Sequence, residues 1–571
     1  MISKNSDATI ALLEKHFDIA FAAPDGIKKL RELILSLAMQ GKLVAQDPSD
    51  QPASELLKEI EPEKERLIKE GKIKKSKPLP EIKLEEIPYK IPASWQWVRF
   101  FTINVVKSEL VSAKDYPLEK QIAPDSIEKG SGRLLYHRNV EESGAKGPNN
   151  RFYKNQILYS KIRPSLNKAV IAPYSGLCSA DMYPIETFVD INFMLKSILS
   201  EMFLEQVRQA ENRVKMPKLN LDSLGIFLIP LPPLAEQRLI VAKIDELMAR
   251  CDELERLRGD RDRKQITVHN SALDRLLIAK EQSDFNTAWQ FITQHFSELY
   301  SVKANVTELR KTILQLAVMG KLVPQNPNDQ PASELLKEIE EEKERLVKEG
   351  KIKKSKPLPE ITPDEIPYNL PKSWQWVRFG IIVQSMTNGL YKPSQFYSDK
   401  GVKIVRMFNI QDGFLDLEKV KRIEVTQEEL ENYKLSLGDI LVNRVNSLEL
   451  IGKSALVRDK DLQDNLVFEA MNIRVSCFFR ETNLPNYANL LLQTINARSY
   501  LIGQAKRALG QVSINQPQVS NLLFPLPPLA EQHRIVAKID QLMVLCDNLE
   551  KQIDNANSKQ TTLLNAVVTK V

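Results

Sequence analysis

The stretch PLPPLAEQHRIVAKIDQLMVLCDNLE, residues 525–550, carries the strongest structural signal in this chain. From Ile535 onward, apolar residues recur at alternating steps of four and three as far as Val567. This spacing places one apolar seam along a helix and is typical of helices that supercoil around a partner. The stretch therefore predicts a long helix that forms half of a coiled coil.

A second copy, PLPPLAEQRLIVAKIDELMARCDELE, occupies residues 230–255 and predicts the partner helix within the same chain. The apolar seam falls at the same positions in both copies. We expect the two long helices to pack on each other as an antiparallel pair. The predicted seam residues are Ile240, Ile244, Leu247, Cys251, Leu254, Ile535, Ile539, Leu542, Cys546 and Leu549.

The two helices belong to an internal repeat of the whole chain. DQPASELLKEIE starts at Asp50 and recurs unchanged at Asp329. SWQWVRF starts at Ser94 and recurs at Ser373, so both repeats have an offset of 279 residues. At the PLPPLAEQ motif the offset is 295, so the second copy has gained 16 residues after SWQWVRF. The chain is a duplication whose frame is repeated and whose inserts differ.

Each copy starts with segments that favour helices. In the first copy we predict helices over residues 10–22 and 27–40, the second of them ended by Gly41, and a further helix over 52–71. Pro62 falls inside this last helix where the second copy has Glu341, which predicts a break or kink in the first copy only. A proline-rich extended segment then leads to Trp95.

After each SWQWVRF motif the sequence changes to short β-branched and aromatic runs such as QILYSKIRP and DILVNRV, separated by Gly, Pro and Asn. We therefore predict a mixed α/β protein with two globular α/β domains separated by a long antiparallel helical coiled coil, in a pseudo-twofold internal repeat. The predicted regions are a helical repeat and linker at 1–94, a first sheet domain at 95–230, a central long helix at 231–280, a second helical repeat and linker at 281–373, a second sheet domain at 374–525 and a carboxy-terminal long helix at 526–571.

Composition sets broad limits on the kind of protein. The net charge of +6 permits nucleic acid as a partner without requiring it. The four cysteines form no CxxC pair, which favours reduced thiols over disulfides or a zinc site. No run of about 18 apolar residues and no secretory leader is found in the sequence. We expect a protein of the cytoplasm without a membrane partner.

Motifs for catalysis are missing. The sequence has no GxGxxG, HExxH or GxSxG motif, and the Gly452-Lys453-Ser454 tripeptide has Ser447 where a phosphate-binding loop needs its first glycine. We predict no catalytic residue and no metal ligand in this chain. The alternative of a self-sufficient methyltransferase or nuclease is disfavoured by these gaps.

Basic and amide side chains set among aromatics indicate a nucleic-acid surface in each insert. Lys and Arg suit a phosphate backbone, whereas Arg, Asn and Gln can make paired hydrogen bonds to base edges. A solvated surface is the alternative for any single one of them, and a coiled-coil scaffold without sequence-specific DNA binding is the alternative for the chain. The predicted DNA-binding residues are Arg133, Arg138, Lys161, Arg163, Asn167, Lys168, Lys215, Lys218, Asn220, Arg406, Asn443, Arg444, Asn446, Ser447, Gln511, Ser513 and Asn515.

Two unlike domains in a duplicated helical frame, each followed by PLPPLAEQ, IVAKID and a long helix, resemble the specificity subunit of type I restriction-modification systems. LILSLAMQGKLV and ILQLAVMGKLV resemble the helical repeat of that family. ILYSKIRPSLNKAVIAP and LSLGDILVNRVNSLELIGKSALV resemble strand segments of its target recognition domains. One departure is that the GKLV and ASELLKEI element, which some members carry after the last helix, stands here also near the amino terminus, as in a circular permutation.

The resemblance implies a DNA-binding subunit that recognises a bipartite, asymmetric double-stranded target, one half per recognition domain. It implies two copies of a DNA methyltransferase (modification) subunit as partners, which methylate adenine N6 with S-adenosylmethionine. Restriction/translocase subunits would add ATP- and Mg-dependent translocation and cleavage. None of these cofactors is expected to bind to this chain itself.

Overall fold

The computed structural model describes residues 22–73, 77–210, 217–354, 356–508 and 511–568. The chain divides into two compact units, Met1–Asp260 with Asn555–Val571 and Arg261–Asp554. Each unit combines helices with β-sheets, so the predicted mixed α/β class with two sheet-rich domains is confirmed. Most of the helix predicted over 10–22 lies outside the described residues, as does the side chain of Val567 at the end of the predicted seam.

The helices of the first unit range from single turns to one long helix. Glycine in the left-handed region ends the first of them, as predicted, since Gly41 has φ +69° and follows Met39 by two residues. The helices are α1 (Gly26–Met39), α2 (Ala53–Lys69), α3 (Phe100–Ile103), α4 (Val140–Ser143), α5 (Ile191–Leu199), α6 (Glu201–Ala210), α7 (Leu221–Gly225) and α8 (Leu234–Ile278), the last of which continues into the second unit.

The first unit has three sheets, with strand orders β1-β11, β2-β10-β7-β8 and β3-β6-β9-β4-β5. All pairings are antiparallel except that of β4 with β9. The strands are β1 (Gln96–Arg99), β2 (Asn104–Val106), β3 (Leu110–Ser112), β4 (Lys120–Ile122), β5 (Arg138–Asn139), β6 (Pro148–Phe152), β7 (Ile157–Ser160), β8 (Ala169–Ile171), β9 (Gly176–Ser179), β10 (Met182–Thr187) and β11 (Leu228–Leu231).

The second unit repeats this plan. Its helices are α9 (Gln282–Gln294), α10 (Phe296–Leu299), α11 (Lys303–Val318), α12 (Ala332–Lys348), α13 (Gln427–Tyr433), α14 (Leu484–Leu492), α15 (Ile495–Gln504), α16 (Gln516–Ser520) and α17 (Leu529–Val568), the last of which continues into the first unit. Helices α1 and α2 correspond in the repeat to α11 and α12, and α8 corresponds to α17.

The sheets of the second unit have strand orders β12-β24, β13-β21-β17-β19, β14-β16-β15-β20 and β18-β23-β22. The first two match β1-β11 and β2-β10-β7-β8, and the parallel pair β15 and β20 matches β4 and β9. The strands are β12 (Gln375–Arg378), β13 (Val383–Asn388), β14 (Tyr397–Ser398), β15 (Val402–Val405), β16 (Lys421–Ile423), β17 (Asp439–Asn443), β18 (Val445–Asn446), β19 (Ser454–Leu456), β20 (Leu466–Phe468), β21 (Asn472–Cys477), β22 (Lys506–Ala508), β23 (Gln511–Ser513) and β24 (Leu523–Leu526).

Helix α2 passes through Pro62 without interruption, so of the two predicted outcomes, a break or a kink, the break is wrong. Its 17 residues equal the 17 of α12, which has no proline. Pro62 and Lys58, the residue whose carbonyl loses its helical partner, are both exposed. Water can therefore bind that carbonyl, while Leu56, Ile60 and Leu67 keep the opposite face buried.

The predicted seam of α8 is buried against a short helix of its own unit. Ile240, Ile244 and Cys251 lie in one apolar cluster with Ile27 and Ile34 of α1. Leu247 packs against the edge of that cluster, whereas Leu254 is 39% exposed.

The seam of α17 is placed in the same way. Ile535, Ile539 and Cys546 are buried in the core cluster that contains Ile313 of α11. Leu542 and Leu549 are partly buried against it.

An ion-pair cluster fixes each short helix on its long helix. Arg31 of α1 binds the carboxylates of Asp252 and Glu255, at 2.6 and 2.8 Å. Arg310 of α11 binds Asp547 and Glu550 in the same manner, at 2.6 and 3.5 Å. The buried positions of each seam therefore pack on the short helix of their own unit. The reason is that heptad spacing defines an apolar stripe but not its partner, and the short amphipathic helices have stripes of their own to bury.

The glutamate and glutamine of the PLPPLAEQ motif are buried and join the long helices to the frame. Glu236 accepts hydrogen bonds from Trp95 Nε1 at 2.8 Å and from Gln46 Nε2 at 2.6 Å. Gln237 Nε2 donates to the Pro232 carbonyl at 2.9 Å. Glu531 and Gln532 make the equivalent contacts in the second copy. The motif is therefore repeated because both copies need the same buried joint.

A buried arginine fixes the extended segment on each sheet domain. Arg99 donates to the carbonyls of Pro80, Glu81 and Ile226 and to the carboxylate of Glu86. Arg378 repeats this set with Pro359, Glu360, Asn521 and Glu365.

Candidate nucleic-acid interface

The central strands β7 and β17 end at matching places, which we call the first and second strand exits. The first exit comprises residues 160–168 and 217–220, and the second comprises residues 443–447 and 511–515. At the first exit Leu219 N donates to the Lys161 carbonyl at 2.9 Å, and at the second exit Ile514 N donates to the Arg444 carbonyl at 2.9 Å. The same backbone scaffold therefore presents two different sets of side chains.

At the first exit, Lys161 and Arg163 lie two residues apart, just beyond the end of β7 at Ser160. Lys161 Nζ lies 5.4 Å from the centroid of the Tyr183 ring, so its charge is held over an aromatic face. Arg163 is exposed and has φ 44°, a left-handed backbone conformation that non-glycine residues rarely adopt. Asn167 has φ 48° and is buried. The turn between these two residues is thus sharply folded and points the arginine outward.

The two other lysines predicted at this exit have partners inside the protein. Lys168 Nζ donates to the Pro124 carbonyl at 2.6 Å. Lys218 Nζ pairs with Asp181 at 3.1 Å and remains half-exposed. Lys215 lies outside the described residues. Lys161 and Arg163 are consequently the positions at this exit that best suit a phosphate or a base.

Arg133 and Arg138 lie beside acids from earlier in the chain. Arg138 binds both carboxylate oxygens of Asp125 at 2.8 Å. Burial alone would raise the pKa of Asp125, but hydrogen bonds from Tyr136 and Arg138 outweigh it and lower that pKa. Arg133 donates to Glu128 at 2.7 Å. The basic excess that the sequence shows in this segment is thus partly neutralised in the fold.

Asn220 and Asn515 cap helices. The Asn220 side chain accepts from Ser223 N at 2.7 Å at the start of α7, and Asn515 accepts from Gln518 N at 3.0 Å at the start of α16. An asparagine is favoured at this position because its oxygen satisfies a free helix N–H group. Both amides therefore have a structural role that the sequence reading did not assign to them.

The second exit contains a group of buried amides. Asn443 stands directly opposite Asn472 in the antiparallel pairing of β17 with β21, and both side chains are buried. Their Nδ2 groups donate to the carbonyls of Met407 and Val405, both at 3.4 Å. Among the described residues, neither Oδ1 atom accepts a hydrogen bond. The buried Nε of Arg444 likewise has no acceptor there. This end of the sheet keeps hydrogen-bonding capacity that the described part of the protein does not use.

The small sheet β18-β23-β22 brings together several of the predicted polar residues. Val445 pairs with Ser513, and Ser513 in turn pairs with Lys506. Because directly opposite residues of antiparallel strands point to the same side, Ser513, Lys506 and Gln511 share one face. Asn446 lies on the other face, and its Oδ1 accepts a hydrogen bond from the backbone N of Ser447 at 2.8 Å.

Arg406 adjoins the second exit through its neighbours. The carbonyl of Met407, the residue after Arg406, accepts the hydrogen bond from Asn443. Arg406 itself donates to Glu469, and the carbonyl of the next residue, Ala470, accepts a hydrogen bond from Arg444 Nη1 at 3.4 Å. The sequence reading named Arg406 but missed Glu469 and the aromatic neighbours Tyr397 and Phe408. No local pattern links these residues, since β14, β15 and β20 are brought together only by the sheet.

Within the described ranges, no group of three or more His, Cys, Asp or Glu side chains could hold a metal ion. No described helix combines the length and the apolar character needed to cross a bilayer.

The chain belongs to the family described as the type I restriction modification DNA specificity domain, whose model matches residues 126–260 and 371–556. Membership supports a role in DNA sequence specificity, and not the coiled-coil scaffold that the sequence had left open. The resemblance inferred from the PLPPLAEQ and IVAKID repeats is thereby confirmed.

Relatives of known name lead to the same family. The chain is 36% identical to the type I restriction enzyme EcoAI specificity subunit of Escherichia coli, over 95% of this chain and 93% of that protein. It is 32% identical to the EcoEI specificity subunit of the same organism, again over 95% and 93% of the two chains. A chain from a solved structure of a type I R-M system is similar over 85% of this chain and 98% of that chain, at 18% identity and a TM-score of 0.48.

Proposed function

We propose that this chain is the DNA-reading subunit of a type I restriction-modification complex and that it binds a bipartite, asymmetric duplex target, one half per sheet domain. The observation that supports this most is the pair of strand exits. They share a backbone scaffold, yet Lys161 and Arg163 stand in the first where Arg444 and Asn446 stand in the second. Unlike side chains on like scaffolds are what two different half-sites require.

The two kinds of side chain would have different roles. The half-buried Lys161 and the exposed Arg163 would neutralise phosphates and release counterions, which contributes affinity without sequence information. At the second exit Arg444, Asn446, Gln511 and Ser513 would read base edges.

The frame supports a partner present in two copies. Helices α2 and α12 expose the same side chains at the same places, although burial of their apolar faces does not require this. The exposed identical pairs are Lys58 and Lys337, Glu59 and Glu338, Glu61 and Glu340, Glu65 and Glu344, Arg66 and Arg345, and Lys69 and Lys348. A repeated exposed surface suits two copies of one protein, which we propose to be the methyltransferase subunit.

In this proposal the chain itself catalyses nothing. S-adenosylmethionine would bind to the methyltransferase subunits, and ATP and Mg to restriction/translocase subunits, in the cytoplasm where the target DNA is found. Adenine N6 would be the methylated atom. These assignments follow from the family of the chain and from the missing catalytic motifs.

The test is duplex binding by the full chain assembled with its modification subunits. The wild-type complex should prefer its own target over a duplex of scrambled sequence, and log K should fall with log salt. Replacing Lys161 and Arg163 together by alanine should weaken binding to both duplexes and reduce the salt slope by about 2. The matched control is the double variant Lys551→Ala and Lys559→Ala, two exposed lysines of α17, which should change neither the affinity nor the salt slope.

Two results would contradict the proposal. The wild-type complex could fail to distinguish target from scrambled duplex at moderate salt. Alternatively, the purified chain could transfer a labelled methyl group to DNA unaided, which would revive the self-sufficient methyltransferase.

A further inference from the structure

Arg406 has an unusually constrained surrounding for a side chain at the protein surface. Its guanidinium carbon lies 5.4 Å from the centroid of the Tyr397 ring and 5.4 Å from that of the Phe408 ring. Its Nε donates to Glu469 at 3.1 Å. Two aromatic rings and one carboxylate therefore fix the position of the guanidinium plane.

The carboxylate that orients Arg406 is itself rigidly held. Glu469 N donates to the Val405 carbonyl at 3.0 Å, and the residues on either side of Glu469 are hydrogen-bonded to Leu390. The Glu469 side chain is only 14% exposed, and burial raises its pKa in opposition to the charge and the hydrogen bond of Arg406. The pair is thus built into the sheet rather than formed by two mobile surface chains.

One edge of the guanidinium remains available. Within the described ranges, neither Nη1 nor Nη2 of Arg406 makes a hydrogen bond, although the side chain is one-third exposed. These two nitrogens form a planar fork that matches two acceptors side by side. In duplex DNA, guanine offers such a pair, O6 and N7, in the major groove.

The first sheet domain has no such pair at the corresponding place. The parallel pairing of β15 with β20 matches that of β4 with β9. Just after the last paired residues, the first domain has Ala123 at the position of Arg406 and Ser179 at the position of Glu469. The backbone is otherwise alike, because Ala123 N and Arg406 N are each bound by the side chain three residues further on. A scaffold common to both domains therefore carries the fork in the second domain alone.

We propose that Arg406 determines specificity for a guanine in the half-site read by the second sheet domain, and that Glu469 is its positioning residue. This inference rests on the proposed function. Arg406 would donate from Nη1 and Nη2 to O6 and N7 of one guanine, while Glu469, Tyr397 and Phe408 keep the fork in the orientation that this base requires.

The test uses the full chain assembled with its modification subunits and duplexes in which each guanine of the target is replaced in turn by 7-deazaguanine, which lacks the N7 acceptor. For the wild-type complex, one replacement in the second half-site should weaken binding about 5- to 100-fold. Arg406→Ala should be indifferent to that same replacement and should accept other base pairs at that position. Selectivity in the first half-site should not change.

Two further variants separate reading from charge. Arg406→Lys keeps the charge but has no fork, so it should retain most of the overall affinity and lose the preference for guanine. Glu469→Gln should reduce that preference at the same position and at no other. The matched control is Arg422→Ala in the same sheet, which removes a surface cation and should leave all base preferences unchanged.

The outcomes distinguish this inference from the proposed function. If the wild-type complex prefers its target but Arg406→Ala weakens binding equally for every sequence, Arg406 contacts a phosphate and the inference is wrong. A second half-site without a guanine–cytosine pair would also overturn it. If the wild-type complex shows no sequence preference at all, the proposed function itself fails.

Discussion

The indole Nε1 of Trp374 donates to Oε2 of Glu531 at 2.9 Å, in a place where both side chains are buried. Trp95 and Glu236 repeat the arrangement at 2.8 Å in the first copy. Each pair joins the start of a sheet domain to the start of a long helix. Since the two joints are equivalent, they provide matched tests of how the frame is stabilised.

Replacing Glu531 by alanine should lower the free energy of unfolding by about 1–3 kcal/mol, because the buried indole N–H of Trp374 and the amide of Gln325 lose their acceptor. Glu236→Ala should have a similar effect in the first copy. Urea unfolding of the full chain measures both. The exposed Glu338→Ala should stay within about 0.5 kcal/mol of the wild type, and a loss of the same size there would show that the joint is not special.

Glu236 and Glu531 should also make stability depend on pH. Burial raises the folded-state pKa of both carboxyls above the ordinary value of 4.5, against the opposing effect of their hydrogen bonds. The folded state then binds more protons than the unfolded state above pH 4.5, so this contribution to stability falls as pH rises through the raised pKa.

The variant with Gln at both positions lacks this titration. The difference in free energy of unfolding between variant and wild type should therefore shift in favour of the variant as pH rises from about 4 to about 7. Urea unfolding at each pH provides the comparison. Parallel profiles for the two proteins would contradict the raised pKa values.

Removing the guanidinium of Arg378 should release the extended segment before the second sheet domain. Arg378→Ala leaves the carboxylate of Glu365 and the carbonyls of Pro359, Glu360 and Asn521 without their donor, at a cost of about 1–3 kcal/mol. Limited proteolysis should then cut within residues 356–366 much faster than in the wild type. Arg345→Ala, which removes only exposed ion pairs on α12, should not change the cutting rate.

The cysteines should be unreactive in the folded protein. All four are buried, and burial raises the pKa of the Cys178 and Cys477 thiols to about 12. A thiol reagent such as Ellman's reagent should therefore react slowly at pH 8 in native buffer and with four thiols per chain in denaturant. Rapid reaction of even one thiol in native buffer would show that its surroundings open.

Much of the frame could be predicted from local pattern. Gly41 ends α1 as expected, because a left-handed residue is needed there and an added Cβ would lie 2.5 Å from Pro92. Pro62 shows where a local rule fails, since an exposed carbonyl can bind water and the buried face of α2 is unaffected.

The site was predictable only in outline. The basic and amide side chains around both strand exits were identified, but the partners of those side chains were not. Asp125 pairs with Arg138, Glu128 with Arg133 and Asp181 with Lys218. Such contacts depend on strand pairing, which side-chain composition does not reveal.

The seams show a related limit. The spacing of Ile240, Ile244 and Cys251 correctly indicated one buried face, but it could not indicate α1 as the partner. A heptad pattern describes what a helix must bury and leaves open which surface covers it.

Exchange of one sheet domain tests most directly the claim that each domain reads its own half of the target. Residues 379–522 would be replaced by the matching segment of a relative with a different target, and methylated adenines would be mapped across a genome carrying the complete complex. The account predicts that one half of the methylated sequence changes to that of the relative while the other half is retained. A methylated sequence that changes in both halves, or in neither, would contradict it.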